Sequence, residues 1–125
     1  MNNSSIKPTE GEMEILQVLW KNGNCTVREV HEELNKKDSG YTTTLKLMQI
    51  MLEKGLVDRD ASSKTHIYRA LINQEQTQQQ LVNKMIDNLF NGSAARLVMQ
   101  ALGNKTASQE EIDLIKAYLD NLENK

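Results

Sequence analysis

Three amphipathic stripes followed by two short strand patterns predict a mainly α chain, a winged helix-turn-helix with a small all-helical C-terminal dimerisation domain. Three observations carry this. Capping boxes recur at Thr9–Glu12, Thr26–Glu29 and Ser108–Glu111, where a Ser or Thr accepts from a backbone N–H and a Glu three residues on reaches back. Apolar residues after each box repeat with helical period. Between Leu56 and Leu71 the pattern shortens to two strands around a polar tip. Residues 1–72 are read as the winged helix and residues 73–125 as the helical domain.

The first helix opens at Thr9 and carries Met13, Ile15, Leu16, Leu19 and Trp20, ending at Asn22-Gly23-Asn24. The second opens at Thr26 and buries Val27, Val30 and Leu34. Asn35 to Gly40 is a polar turn. The third starts near Thr42, with Leu45, Met48 and Leu52 on one face, and Gly55 stops it. Leu56–Arg59 and Thr65–Leu71 are the strand candidates, joined by Asp60–Lys64. Helix, helix, helix, strand, strand is the winged variant of the helix-turn-helix plan.

Composition shifts at Asn73. The Gln-rich run 74–80 reads as the solvated start of a helix whose apolar face is Leu81, Met85 and Leu89, joined by Val82 and Ile86. Asn91-Gly92 breaks it. Ser93 caps a short helix, Ala94 to Leu102, and Gly103 to Thr106 is a loop. The last helix presents Ile112, Ile115, Leu119 and Leu122. A unit of about 50 residues with three short apolar stripes cannot easily close its own core. Leu81, Met85, Leu89, Ile112, Ile115, Leu119 and Leu122 are therefore the expected dimerisation surface, covered by a second copy.

The chain has 125 residues, 38% hydrophobic and 26% charged, an ordinary globular composition. Its apolar runs fall short of the roughly 20 residues a membrane helix needs. The N-terminus carries no apolar stretch resembling a signal peptide, so a cytoplasmic location without direct membrane contact is expected. One cysteine, Cys25, excludes an intramolecular disulfide. It sits at a helix start where a thiolate could be stabilised, or it packs as a small hydrophobe. Net charge is −2, and residues 1–71 balance ten basic against ten acidic side chains. Residues 61–72, with Lys64, His66 and Arg69, contain no acid. Charge balance alone does not announce a nucleic-acid partner.

The third helix nevertheless has recognition chemistry. Thr42, Thr43 and Thr44 are short hydroxyl donors for phosphates or base edges. Lys46 can neutralise a phosphate or reach guanine, and Gln49 can read adenine. Tyr41 can stack on sugar or donate to phosphate. Lys64 and His66 at the wing can reach flanking backbone. The partner is then a double-stranded DNA operator, with no cofactor and no metal. A dimer implies a palindrome with half-sites about one turn apart or a multiple of that.

YTTTLKLMQIMLEKGLV, from Tyr41 to Val57, resembles the recognition helix and wing entry of the penicillinase-repressor family, the regulators grouped with β-lactamase and methicillin-resistance repressors. TEGEMEILQVLW, from Thr9 to Trp20, is similar to that family's first helix, and the strand through Tyr68 to its wing. The C-terminal helices resemble its dimerisation domain, so the likeness spans nearly the whole chain. It implies a homodimeric repressor, and a tie to antibiotic resistance. It also implies a membrane sensor protease as partner, leading to a cut near Met99, Gln100, Ala101 and Leu102. The chain departs from the family in three places. Ile50 stands where members often carry Arg, the cysteine cluster of the copper-responsive branch is absent, and Val98 to Leu102 lacks the Asn-Phe pair associated with the cut.

Two other classes of function compete with a repressor. His31-Glu32-Glu33-Leu34-Asn35 comes within one residue of the zinc-protease motif, but Asn35 stands in place of the second ligand, and only His66 remains. No nucleophile elbow or phosphate loop is present, so an enzyme is not expected. The alternative is a winged helix used only as a protein–protein adaptor, without DNA binding.

Overall fold

The computed structural model describes residues 7–34, 40–104 and 107–124. Its elements are α1 (Glu10–Asn22), α2 (Val27–Leu34), α3 (Tyr41–Lys54), β1 (Val57–Asp60), β2 (Ile67–Ala70), α4 (Gln74–Leu89), α5 (Ala94–Asn104) and α6 (Gln109–Glu123). The chain divides into two compact units, Met1–Leu81 and Val82–Lys125, so the division falls inside α4.

All three capping boxes form. Thr9 Oγ1 accepts from Glu12 N–H at 3.2 Å, Thr26 Oγ1 from Glu29 N–H at 3.1 Å and Ser108 Oγ from Glu111 N–H at 3.1 Å. Gly55 closes α3 in the left-handed region (φ 82°), where a side chain would be strained. Asn91 and Gly92, both at positive φ, break the chain between α4 and α5. One boundary differs from expectation. Gly103 and Asn104 continue α5 instead of opening a loop, because Gly103 keeps a negative φ and remains helical. Of the expected turn at 35–40, only Gly40 lies within the described residues.

In the first unit α1 packs on α2, α3 and β2. Ile15, Leu16, Val18 and Leu19 meet Val27, Val30, Met48, Met51, Leu56, Val57 and Tyr68 in one buried core. Met13, Trp20, Leu45 and Leu52 sit half-buried around it. The hairpin is antiparallel, with Val57 opposite Ala70 and Arg59 opposite Tyr68. A further bridge extends it. Cys25 and Tyr68 exchange both backbone hydrogen bonds, at 3.0 and 2.7 Å. This pins the segment before α2 to the wing. Trp20 Nε1 donates to Ile72 O at 3.1 Å and fastens the exit of the wing to α1.

The second unit contrasts with this. None of its described residues is buried. Leu89, Met99, Leu114 and Tyr118 are each at least 65% exposed, and Met85, Leu119 and Leu122 are exposed as well. Ile112 and Ile115 are half-buried, as is Leu81 at the end of the first unit.

Candidate nucleic-acid interface

α3 turns Thr44, Met48 and Met51 into the core. Its opposite stripe, Thr42, Thr43, Lys46, Gln49 and Glu53, is exposed at the three- and four-residue spacing of one helix face. The start of α3 is also open. Side-chain oxygens of Thr9, Thr26, Asn73, Ser93 and Ser108 cap the other five helices. α3 begins at Gly40, with no side-chain cap among the described residues. Thr43 N–H turns back to Gly40 O at 3.1 Å, and the positive helix end suits an external anion.

Between α2, α3 and the hairpin lies an open cleft of about 360 Å³. Arg28, Tyr41, Gln49, Arg59, Lys64 and His66 line it, against Val27, Leu45 and Tyr68, and among the described residues no carboxylate does. Among the described residues Arg28, Arg59 and Lys64 form no ion pair. Lys21, Lys54 and Arg69, by contrast, each hold a carboxylate, on Glu33, Glu12 and Asp58. Glu29, Glu32 and Glu33 line a separate depression with Asn22, Asn24 and Cys25. Residues 1–71 are therefore neutral in sum and segregated in space, which matters more to a polyanion than net charge.

Tyr41 is held from α2. The Arg28 guanidinium lies over its ring, 4.4 Å from the centroid. His31 meets the ring edge-on at 6.0 Å and 81°. His31 is fixed in turn, its Nδ1 2.8 Å from Thr44 Oγ1. On the wing, the Arg69 hydrogen bond holds the Asp58 carboxyl below its ordinary pKa, with the Arg59 N–H assisting. The Ser62 N–H does the same for Asp60 and shapes the tip.

Of the residues singled out in the sequence, Tyr41, Gln49, Lys64 and His66 come together in the cleft. Thr42, Thr43 and Lys46 stand on the exposed stripe of α3. Thr44 does not join them. It is 3% exposed, and its hydroxyl is taken by His31, so it is withdrawn from the residues facing a ligand. A thiolate at Cys25 is also not what the structure supports. Burial pushes the Cys25 thiol up from its ordinary pKa, and Glu29 and Glu33 push it further. Arg28 and Arg59 were missed by sequence reading. Arg28 hid inside a capping box, and Arg59 reads as an ordinary outward strand residue.

The expected cleavage stretch, Met99 to Leu102, lies on α5 and is exposed throughout. Among the described residues no helix is long and apolar enough to cross a membrane. Nor do any three His, Cys, Asp or Glu side chains there group as a metal centre.

A helix-turn-helix whose second helix is uncapped and solvent-facing, flanked by a cation-lined hairpin, is the architecture of winged-helix transcriptional regulators. Comparison with known proteins narrows the class. The chain belongs to the penicillinase repressor family, whose sequence model matches residues 8–121, and members of this family repress transcription. It is similar to the penicillinase repressor of Bacillus licheniformis, 23% identical over 118 residues that span 94% of this chain and 92% of that one. It is also similar to the methicillin resistance regulatory protein MecI of Staphylococcus aureus strain N315, 22% identical over 121 residues, 96% and 98% of the two chains. A solved MarR family protein from Bacillus stearothermophilus has a related fold, with a TM-score of 0.52 and 23% identity over 97% of this chain and 76% of that one.

Proposed function

We propose that this repressor binds a palindromic operator as a cytoplasmic homodimer, residues 1–72 gripping DNA and residues 73–125 holding two copies together. The exposed stripe of α3 enters the major groove. Thr42, Thr43 and Lys46 face base edges there, and the wing with Lys64 and His66 follows flanking backbone. The observation that carries this reading is the cleft in which, among the described residues, Arg28, Arg59 and Lys64 stand without a carboxylate. Cations so placed beside the start of α3 are what a phosphate chain needs.

Dimerisation is supported by the apolar residues that the second unit leaves at its surface. Linking two winged helices makes the second contact intramolecular and raises affinity by roughly 10²–10⁴. Derepression by a cut between Met99 and Leu102, directed by a membrane sensor protease, would remove that gain. The exposure of Met99, at 73%, favours access, although the helical turn must open locally before a protease can engage it.

The test is selection of duplexes from random sequence by the purified full chain, followed by mobility shift at two salt concentrations. The expected result is a palindromic consensus, a steep salt dependence, and loss of specific binding in Lys46→Ala. Recovery of no duplex would sink the DNA reading and leave the protein–protein adaptor.

A further inference from the structure

One cation of the cleft, Arg28, comes from α2, the helix that crosses the backbone in the helix-turn-helix plan. Arg28 is exposed, and its guanidinium lies over the ring of Tyr41. A guanidinium held over a ring and bonded to no described carboxylate keeps N–H donors for a partner, and those donors match a phosphate in two-pronged fashion. Stacking also fixes the side chain in advance, so less freedom is lost on binding. The ring below is itself immobilised. Tyr41 is the first residue of α3, His31 abuts its edge, and Thr44, 3% exposed, anchors His31. The Tyr41 hydroxyl has no hydrogen-bond partner among the described residues, which leaves a second donor beside the first.

We infer that Arg28 and Tyr41 form one phosphate-gripping unit on the operator backbone, so that α2 contacts DNA together with α3 and the wing. The inference rests on the reading that this cleft faces duplex DNA. Arg28 supplies charge and two N–H donors, Tyr41 supplies the platform and an O–H, and the His31–Thr44 pair braces the platform.

The experiment measures anisotropy of the selected duplex between 50 and 200 mM salt, with wild type, Arg28→Ala and Arg28→Lys. Each phosphate contact adds about 0.9 to the slope of log affinity against log salt, so two Arg28 residues in a dimer add about 1.8. Over that fourfold salt range wild type should lose about twelvefold more affinity than Arg28→Ala. Arg28→Lys should restore the slope, because the charge returns, but only part of the affinity, because the planar stack does not. A melting curve checks that the exposed substitution leaves the fold intact. An Arg28→Ala slope equal to wild type overturns the inference while the DNA reading stands. So does an Arg28→Lys slope that stays with Arg28→Ala. Wild type without salt-dependent duplex binding overturns the DNA reading, and this inference falls with it.

Discussion

Removing Lys54 should harm this protein more than removing the charge of Glu12, although the two form one ion pair. The Glu12 side chain is 2% exposed and that of Lys54 is 38% exposed. Glu12 Oε1 accepts from Thr9 N–H at 2.9 Å and from Lys54 Nζ at 3.0 Å, and Oε2 accepts from Lys54 Nζ at 2.8 Å. Lys54→Met strands a buried carboxylate with one backbone donor. Breaking a buried pair this way costs about 3–5 kcal/mol, and the partial exposure of Lys54 places this case near 3. Glu12→Gln keeps an oxygen for Thr9 and frees Lys54 to reach water, at about 1–2 kcal/mol. At roughly 4 °C per kcal/mol, the melting temperature should fall by about 12 °C and about 4–8 °C respectively. The double variant should be more stable than Lys54→Met alone, because a neutral amide no longer needs the cation. Acid supplies a second readout. Burial alone would raise the Glu12 pKa, but the hydrogen bonds from Lys54 and Thr9 outweigh it and the net shift is downward. A lowered folded pKa contributes stability that is complete above the ordinary glutamate value and disappears as pH falls through the folded value. The gap between wild type and Glu12→Gln should therefore narrow in acid. Circular dichroism melts at fixed protein concentration measure all of this. Equal and additive losses from the two single variants would refute the reasoning.

Other outcomes follow from the same structure. Thr44→Val should lower stability by about 1 kcal/mol, because His31 Nδ1 loses its partner, while Thr44→Ser should stay near wild type in denaturant titration. Cys25, 4% exposed with its thiol pKa raised, should react with a thiol reagent far more slowly in the folded than in the unfolded protein at pH 7. Equal rates would mean that the bridge to Tyr68 opens readily.

Local chemistry was legible in the sequence and tertiary chemistry was not. The capping boxes at Thr9, Thr26 and Ser108 need only residues three apart, so their appearance in the chain was enough. The stops at Gly23, Gly55 and Asn91-Gly92 are equally local. Thr44 was misjudged because the buried face of α3 runs through 44, 48 and 51, whereas the reading followed 45, 48 and 52. A hydroxyl can occupy the core only when another element satisfies it, and His31 on α2 does so from thirteen residues away. The Cys25–Tyr68 bridge was invisible for the same reason. Two single residues joining across the fold leave no period. Arg28 and Arg59 stand out only because no described carboxylate lines the cleft with them, although Glu29, Asp58 and Asp60 adjoin them in the chain, and that becomes countable only when α2, α3 and the wing share one cleft. Gly103 was read as a stop, yet glycine ends a helix only where the chain turns to positive φ.

The two units leave different groups unsatisfied, and this sets what cutting within the second must do. The first closes its apolar residues in one core and leaves cations open. The second leaves apolar residues open. In the proposed dimer, truncation after Gln100 removes association and leaves every residue of the first unit in place. The loss should then fall on effective concentration and not on the contacts themselves. Two readouts separate these terms. Affinity for the full palindrome should drop by roughly 10²-fold or more. The salt slope should halve, because one protomer brings half the phosphate contacts, while Lys46→Ala should still abolish preference for the half-site. A truncated chain that binds the palindrome as tightly as the full one would show that the C-terminal helices do not hold the copies together on DNA, and derepression by proteolysis there would lose its physical basis.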